Sequence, residues 1–209
     1  MIPKIFIILA CLFTQSVQAA KPLNVVLILV DDLGWMDLSC QGSRYFETPH
    51  IDRLAAEGMR FTDAYAACAV CSPTRAAVQT GRYPGRLGVT DWIRSRFQGG
   101  TIPTDKKNPS GFSGGKRKFL VPKNALWMES EEVTIAELLK PAGYVTCHIG
   151  KWHLGADDWY PQKQGYDFNY GGCDYGQPPS YFDPFNQPKH RHAMIRGGIP
   201  HLPGRKPGQ

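Results

Sequence analysis

The chain has 209 residues, of which 42% are hydrophobic and 20% are charged, with 22 glycines and 17 prolines. This composition excludes a fibrous repeat and a low-complexity tail, so we expect at least part of the chain to fold. The formal net charge of +6 is only mildly basic and does not indicate a nucleic-acid-binding protein. A chain of this length can bury one sizeable core, and we expect no second complete large domain.

Residues 1–19 have the pattern of a secretory signal peptide. Lys4 precedes an apolar run that ends at Phe13, and a small-residue cleavage site follows at Ala19. The run is too short to span a bilayer, and nothing downstream approaches about 18 consecutive apolar residues. We therefore predict an exported protein, periplasmic or secreted, with no stable membrane anchor. A lipoprotein cleavage box at Cys11 is the alternative interpretation, although it would leave a very short apolar region.

Six cysteines are present, and Cys11 lies inside the predicted signal peptide. In an oxidising compartment four of the others could form two disulfides in any of three pairings. These four are Cys40, Cys68, Cys147 and Cys173. Cys71 would then be the odd thiol, and an odd thiol in an exported protein indicates a chemical role.

The first half of the chain predicts strands alternating with helices. The continuous aliphatic run over residues 23–30 is typical of a strand buried on both faces of a parallel sheet. Thr48 and Pro49 indicate the start of a helix, which should end near Gly58. Residues 60–67 are a second predicted strand.

The next predicted helix places a cysteine at its first turn. Residues 72–80 carry an early proline and then small apolar residues, and Gly81 is a typical helix stop, so Cys71 should lie at the N-terminus. A long surface loop is predicted over residues 99–124 because no alternating apolar pattern occurs there. The loop could attract an anionic polymer, although a solvated insertion is favoured on charge alone. Its basic residues are Lys106, Lys107, Lys116, Arg117 and Lys118.

The second half of the chain predicts one further helix and one further strand. Ser130 is the predicted cap of a helix that extends to Leu139, and residues 144–149 are a predicted strand. Residues 186–209 lack any helical or strand period and form a predicted irregular tail. The alternation of elements therefore predicts an α/β fold with a mostly parallel sheet flanked by helices.

Polar residues follow two of the predicted strands, where sites form in α/β sheets. Asp31 and Asp32 follow the first strand, and Lys151 and His153 follow the strand over residues 144–149. Two adjacent carboxylates need a cation, and hard oxygen ligands favour Ca²⁺ or Mg²⁺. Considered alone, however, the aspartate pair is better explained as a turn or a helix cap.

The segment CSPTRAAVQTGR, residues 71–82, is far more specific. It resembles the signature of the formylglycine-dependent sulfatases, which is C-x-P-S-R followed by a helix and T-G-R. DDLGW at 31–35, TPHIDRLA at 48–55 and GKWHLG at 150–155 are similar to family segments in the same order. The resemblance extends from residue 23 to about residue 183. It implies the N-terminal part of a catalytic domain with the alkaline-phosphatase-like sulfatase fold, incomplete at its C-terminus.

The resemblance implies a sulfuric ester hydrolase that carries a modified cysteine. A formylglycine-generating enzyme would oxidise Cys71 to an aldehyde, whose hydrate would present the attacking hydroxyl and become sulfated. Asp31 and Asp32 would hold a Ca²⁺ ion, or Mg²⁺ in its place, together with the Cys71 hydrate. The substrate would be a sulfate ester, either a sulfated polysaccharide or an aryl sulfate, and a phosphoryl or phosphonate ester remains open.

Three further residues acquire catalytic roles by the same resemblance. Arg75 would stabilise charge near the hydrate, and Lys151 would contact the sulfate oxygens. His153, two residues further and therefore on the same strand-like face, would help deprotonate the hydrate so that sulfate leaves. Thr74 departs from the commoner serine of the signature, and Met36 stands where a small residue is expected.

Two alternatives belong to other classes. Residues 68–71 form a CxxC before a helix, which could be a redox dithiol, but that interpretation gives no role to Asp31, Asp32 or Arg75. The second alternative is a truncated, catalytically incomplete protein. Family members are about twice as long, and their later metal ligands, second histidine and second lysine cannot be placed here. The tail histidines are expected to be exposed rather than ligands; they are His190, His192 and His201.

Overall fold

The fold is described from a computed structural model, which describes residues 22–115, 118–182, 185, 199–200 and 202. The predicted signal peptide and most of the predicted tail lie outside these residues. The chain divides into two compact units, Met1–Ala55 and Ala56–Gln209, and each is described by itself. Across the described ranges, no helix has the length and apolar character needed to cross a membrane.

In the first unit, the predicted buried strand over residues 23–30 is not formed. The segment has no regular secondary structure, and its side chains are exposed, with Val26 at 82% of its full accessibility. A strand needs a neighbouring strand for its backbone hydrogen bonds, and neither sheet of the described residues includes this segment. The aliphatic pattern therefore predicted the burial of these residues wrongly.

The predicted helix start at Thr48 is confirmed. Helix α1 spans Pro49–Glu57, after a short 3₁₀ helix at Ser39–Gln41. The Thr48 hydroxyl donates to the Asp52 carboxylate at 2.9 Å, and the Asp52 N–H donates to the Thr48 carbonyl at 2.9 Å. These two contacts close the first turn of the helix.

The second unit contains three further α-helices among its described residues. They are α2 at Cys71–Thr80, α3 at Pro84–Leu87 and α4 at Ile135–Leu139. Short 3₁₀ helices lie at Arg96–Gln98, Lys140–Ala142, Asp157–Trp159 and Pro161–Lys163. Residues 60–67, predicted as a strand, have no strand structure.

Helix α2 begins and ends as predicted, whereas α4 begins later. Gly81 adopts the left-handed region at φ +67° and donates its N–H to the Ala77 carbonyl at 2.8 Å, which ends α2. Thr134, not Ser130, caps α4, because Thr134 forms a reciprocal capping box with Glu137. The predicted start of this helix was therefore wrong by about one turn.

Two small sheets are present in the described part of the chain. Strands β1 at Phe112–Ser113 and β2 at Val121–Pro122 form an antiparallel hairpin within the predicted loop. Strands β3 at Cys147–Ile149 and β4 at Phe168–Tyr170 pair in parallel. Strand β3 confirms the last three residues of the predicted strand, so a parallel α/β arrangement is present on a smaller scale than expected.

The core of the second unit packs helix α2 against the segment that follows β3. Ala76 of α2 shares one apolar cluster with Ile93, Met128, Trp152 and Leu154, all of which are buried. Burial of this cluster holds the polar residues at the start of α2 near those that follow β3.

A second packing feature adjoins this segment. The Trp127 and Trp159 rings stack with centroids 4.0 Å apart. Gly155 lies against both, with φ +131°, and a Cβ there would lie 2.7 Å from the Cβ atom of each tryptophan. Glycine is therefore required at this close approach.

Candidate active site

Cys71 is the first residue of α2 and is half-buried. Val70 before it is extended, and no described side chain caps this end of the helix. Thr74 fixes the preceding loop: its hydroxyl donates to the Cys68 carbonyl at 2.5 Å and accepts the Cys68 N–H at 3.1 Å. Thr74 therefore uses the hydroxyl that it shares with the serine of the sulfatase signature.

None of the five described cysteines is in a disulfide. The two bridges considered from the sequence are therefore not formed. The Cys68–Cys71 bridge of a redox dithiol is also not formed.

Ser72, next to Cys71, connects α2 to two distant segments. Its buried hydroxyl donates to the His153 carbonyl at 2.9 Å and accepts the Ile93 N–H at 2.9 Å. The His153 Nε2 lies 2.7 Å from the Ile93 carbonyl oxygen. Ser72 and Ile93 could not be predicted from the sequence, because Ser72 occupies the variable position of the signature and Ile93 acts through its backbone.

Arg75 connects α2 to a second predicted site residue. Its guanidinium is buried, and Nη1 donates to the Lys151 carbonyl at 2.5 Å. Arg75 thus contacts the main chain of Lys151, and the start of α2 contacts the main chain of His153. In this geometry Arg75 holds the main chain of Lys151.

The segment after β3 is not a continuous strand. His153 adopts φ +60°, in the left-handed region, and its side chain is 2% exposed, whereas Lys151 is half-buried. The expectation that both side chains share one strand-like face was therefore wrong, because a left-handed residue breaks the alternation of a strand. Trp152 between them is buried and donates its Nε1–H to the Trp159 carbonyl at 2.8 Å.

A glycine packs directly against the His153 ring. A Cβ at Gly176 would lie 2.8 Å from Cε1 and 3.1 Å from Nε2 of His153. Any larger residue would therefore displace the imidazole. The His153 N–H donates to the Cys173 carbonyl at 3.0 Å, which attaches the same segment to the backbone of His153.

His148 is a second mostly buried histidine near these residues, and no sequence motif identified it. Its ring packs edge-on against Trp152 and Tyr166, with centroids 5.1 and 5.4 Å apart. Burial, with a smaller contribution from the charge of Arg75, lowers the pKa of His148 to about 4. The ring is therefore neutral at pH 7.

Asp31 and Asp32, the predicted metal ligands, lie in the first unit. Both are exposed in a turn, and Asp32 adopts φ +54°. Their carboxylates are the kind of hard oxygen donor that Ca²⁺ and Mg²⁺ accept. Two carboxylates supply fewer than the roughly six to eight oxygens that Ca²⁺ takes. Among residues 22–115 and 118–182, no cluster of three or more His, Cys, Asp or Glu side chains could hold a metal.

The residues therefore fit part of a divalent cation site, and further oxygen ligands are needed to complete it. The tail histidines considered from the sequence lie outside the described residues. They are His190, His192 and His201.

Comparison with known proteins defines the family. The Sulfatase family profile matches residues 23–193, and the chain belongs to this family. It is 36% identical to human steryl-sulfatase over 173 residues, which cover 79% of this chain and 26% of that protein. It is 40% identical to human arylsulfatase A over 154 residues, covering 72% and 25%, respectively. It is 35% identical to mouse N-acetylgalactosamine-6-sulfatase over 184 residues, covering 88% and 31%.

A solved structure supports the same assignment. The structure of Ps i-CgsB in complex with k-i-k-neocarrahexaose is 31% identical, with a TM-score of 0.50, and the match covers 74% of this chain and 29% of that chain. The alkaline-phosphatase-like α/β class expected from the sequence is therefore supported by this structural neighbour as well as by the family profile. The chain spans between a quarter and a third of the length of the curated relatives described above.

Proposed function

We propose that this protein is a sulfuric ester hydrolase that uses a formylglycine derived from Cys71 together with a divalent cation. The observation that carries the proposal is the start of α2. There Cys71 opens the helix, while Ser72 and Arg75 are hydrogen-bonded to the main chain of His153 and Lys151. The residues of the sulfatase signature thus contact the segment that carries the other proposed catalytic residues.

The side chains of this unit would stabilise the negative charge of a sulfate ester and transfer the protons that its cleavage requires. The hydrated aldehyde would supply the attacking oxygen and would return to the aldehyde when sulfate leaves. Lys151 would attract the sulfate oxygens, and the positive end of α2, where Cys71 lies, favours negative charge. His153 would accept the proton whose removal expels sulfate. Arg75 would hold the Lys151 main chain and add positive charge beside it.

The metal requirement involves the first unit. Asp31 and Asp32 would hold Ca²⁺ or Mg²⁺, and the cation would neutralise charge on the sulfate group. Because two carboxylates do not complete such a site, we propose that further residues of the protein supply the remaining ligands.

A sulfated glycan is the proposed substrate class. Two comparisons support it: the carrageenan-type oligosaccharide named with Ps i-CgsB, and the similarity to N-acetylgalactosamine-6-sulfatase. The hairpin of β1 and β2 also carries exposed Lys118, Phe119 and Lys123, which suit a sugar chain with negative charges. With the signal peptide predicted at residues 1–19, we propose that the enzyme acts outside the cytoplasm, in the periplasm or after secretion.

The maturation of Cys71 is tested by mass spectrometry of protein purified from its native host. We expect the peptide that contains Cys71 to have lost mass by the conversion of a thiol to an aldehyde. The matched control is the peptide with Cys147, an exposed cysteine that should keep its thiol. An unmodified thiol at position 71 in all molecules would refute the formylglycine proposal, and a Cys68–Cys71 disulfide would support the redox dithiol instead.

Activity is tested by measuring sulfate release from a sulfated oligosaccharide and from an aryl sulfate. We expect Cys71→Ala to abolish release and Cys147→Ala to leave it unchanged. The truncated alternative is tested by comparing the 209-residue chain with a chain extended by a sulfatase C-terminal part. Comparable turnover by both would refute the alternative, and release by neither would refute the proposed activity.

A further inference from the structure

We infer that Ser72 is a positioning residue that fixes both the orientation and the tautomer of His153, so that Nδ1 is the nitrogen that accepts the proton. The catalytic consequence rests on the proposed function. The hydrogen bonds among Ser72, Ile93 and His153 and the tautomer of His153 do not depend on the proposed function, because both are properties of the folded second unit.

Three hydrogen bonds form a closed ring between segments that are distant in the sequence. The Ser72 hydroxyl donates to the His153 carbonyl, the His153 Nε2 contacts the Ile93 carbonyl, and the Ile93 N–H donates to the Ser72 hydroxyl. Ser72 and His153 are almost completely buried. Because the hydroxyl is at once donor and acceptor, alanine at this position would leave a buried carbonyl and a buried N–H without these bonds.

The tautomer follows from the partner of Nε2. A carbonyl oxygen can only accept a hydrogen bond, so at 2.7 Å the Nε2 atom must carry the proton. In a neutral imidazole the other nitrogen, Nδ1, then holds the lone pair. Any proton that His153 accepts must therefore bind at Nδ1.

The orientation of the ring follows from contacts on the backbone and on the ring itself. His153 is held in the left-handed region by its N–H, which donates to the Cys173 carbonyl, and by its carbonyl, which accepts from Ser72. Gly176 packs on the imidazole, so closely that a Cβ would overlap Cε1. Contacts at the main chain, at Nε2 and on the ring thus leave the imidazole little freedom to rotate.

Ser72 couples this arrangement to the neighbouring nucleophile position. It directly follows Cys71, so the hydrogen bond to the His153 carbonyl joins the peptide that carries the proposed nucleophile to the residue that carries the proposed base. Misplacement of a reacting group by about 1 Å can cost on the order of 100-fold in rate. Loss of the Ser72 hydroxyl should therefore reduce turnover although Ser72 need not touch the substrate.

The tautomer is tested first, by ¹⁵N NMR of the histidine-labelled 209-residue chain at pH 7.5. We expect the His153 ring to be protonated at Nε2 and not at Nδ1 in the unsubstituted protein, and Ser72→Ala to produce a mixture of tautomers. Thr134→Val is the matched control, because Thr134 is also a buried hydroxyl that donates to a distant carbonyl, that of Gln164 at 2.8 Å. A ring protonated at Nδ1 in the unsubstituted protein would overturn the inference.

The positioning role is tested by kinetics with an active preparation. We expect Ser72→Ala to reduce kcat about 100-fold with little change in KM, and Thr134→Val to leave both nearly unchanged. An equal loss of kcat in both variants would show a general effect of destabilisation and would overturn the positioning role, as would unchanged kcat in Ser72→Ala. If the unsubstituted protein releases no sulfate from any ester, the proposed function and the catalytic role fail together. The NMR result still decides separately whether Ser72 fixes the tautomer of His153.

Discussion

His148 should make the second unit sensitive to mild acid. Its pKa in the folded protein is about 4, chiefly because of burial, whereas an unperturbed histidine has a pKa of 6.5. As the pH falls below 6.5, the unfolded chain binds a proton at this residue before the folded chain does. The free energy of unfolding therefore decreases as the pH falls from 6.5 towards 4 and changes little with this residue below that range.

The size of the effect follows from the difference between the two pKa values. Each pKa unit corresponds to about 1.4 kcal/mol, so the full difference is worth about 3 kcal/mol, of which about 2.5 kcal/mol should be lost between pH 7.5 and pH 4.5. This loss is a large fraction of the stability of a typical small domain.

The assay is urea unfolding of the protein and of His148→Phe at both pH values. Phenylalanine keeps an aromatic ring against Trp152 and Tyr166 but cannot titrate. Protonation of carboxylates with lowered pKa values, such as Asp167, also destabilises the folded protein in acid. This effect is the same in the unsubstituted protein and in the variant, so it cancels in the comparison. If the variant loses as much stability between pH 7.5 and 4.5 as the unsubstituted protein, the buried, neutral state of His148 is refuted.

Three other substitutions test individual contacts, each by urea unfolding at pH 7.5. Thr74→Val should lower the free energy of unfolding by about 1 to 2 kcal/mol because it removes both hydrogen bonds to Cys68. Thr74→Ser keeps the hydroxyl and should lower it much less, so equal losses in the two variants would contradict a role for the hydroxyl. Gly155→Ala should lower the free energy of unfolding by about 3 kcal/mol because the added Cβ forces the stacked tryptophans apart. Unchanged tryptophan fluorescence in this variant would contradict the displacement of the two rings. Asp174→Asn should lower the free energy of unfolding by about 2 kcal/mol because it weakens the contact with Arg96. The same substitution should lower the raised pKa of Tyr160, because the Asp174 charge contributes to that shift. An unchanged titration of tyrosine absorbance would contradict this coupling.

Helix boundaries with strong local signals could be predicted from the sequence. Thr48 with Pro49 and the stop at Gly81 are short-range features, and α1 and α2 begin and end accordingly. Helix α4 shows the limit of such signals. Ser130 and Thr134 are both acceptable caps by residue type, and Thr134 is the cap in the structure, where its hydroxyl also reaches Gln164, 30 residues away.

A local sequence pattern could not predict two features of this protein. They are the absence of a strand over residues 23–30 and the long-range contacts around the candidate site. An aliphatic run indicates that a segment suits burial, but it does not identify a partner strand, and none is present among the described residues. The signature identified Cys71 and Arg75. Ser72, Ile93 and Gly176 act through long-range hydrogen bonds, backbone atoms or the lack of a side chain, none of which leaves a periodic or compositional signal.

The hydrogen-bonded triangle of Ser72, Ile93 and His153 limits where the chain between its corners can change in length. The stretches of chain between its corners contain the hairpin of β1 and β2, and lengthening such an exposed connection costs little free energy. Insertions or deletions near the tip of the hairpin should therefore leave the three hydrogen bonds, and the place of the imidazole, unchanged. The connection between Ile93 and His153 can thus vary in length while the geometry around the imidazole is kept.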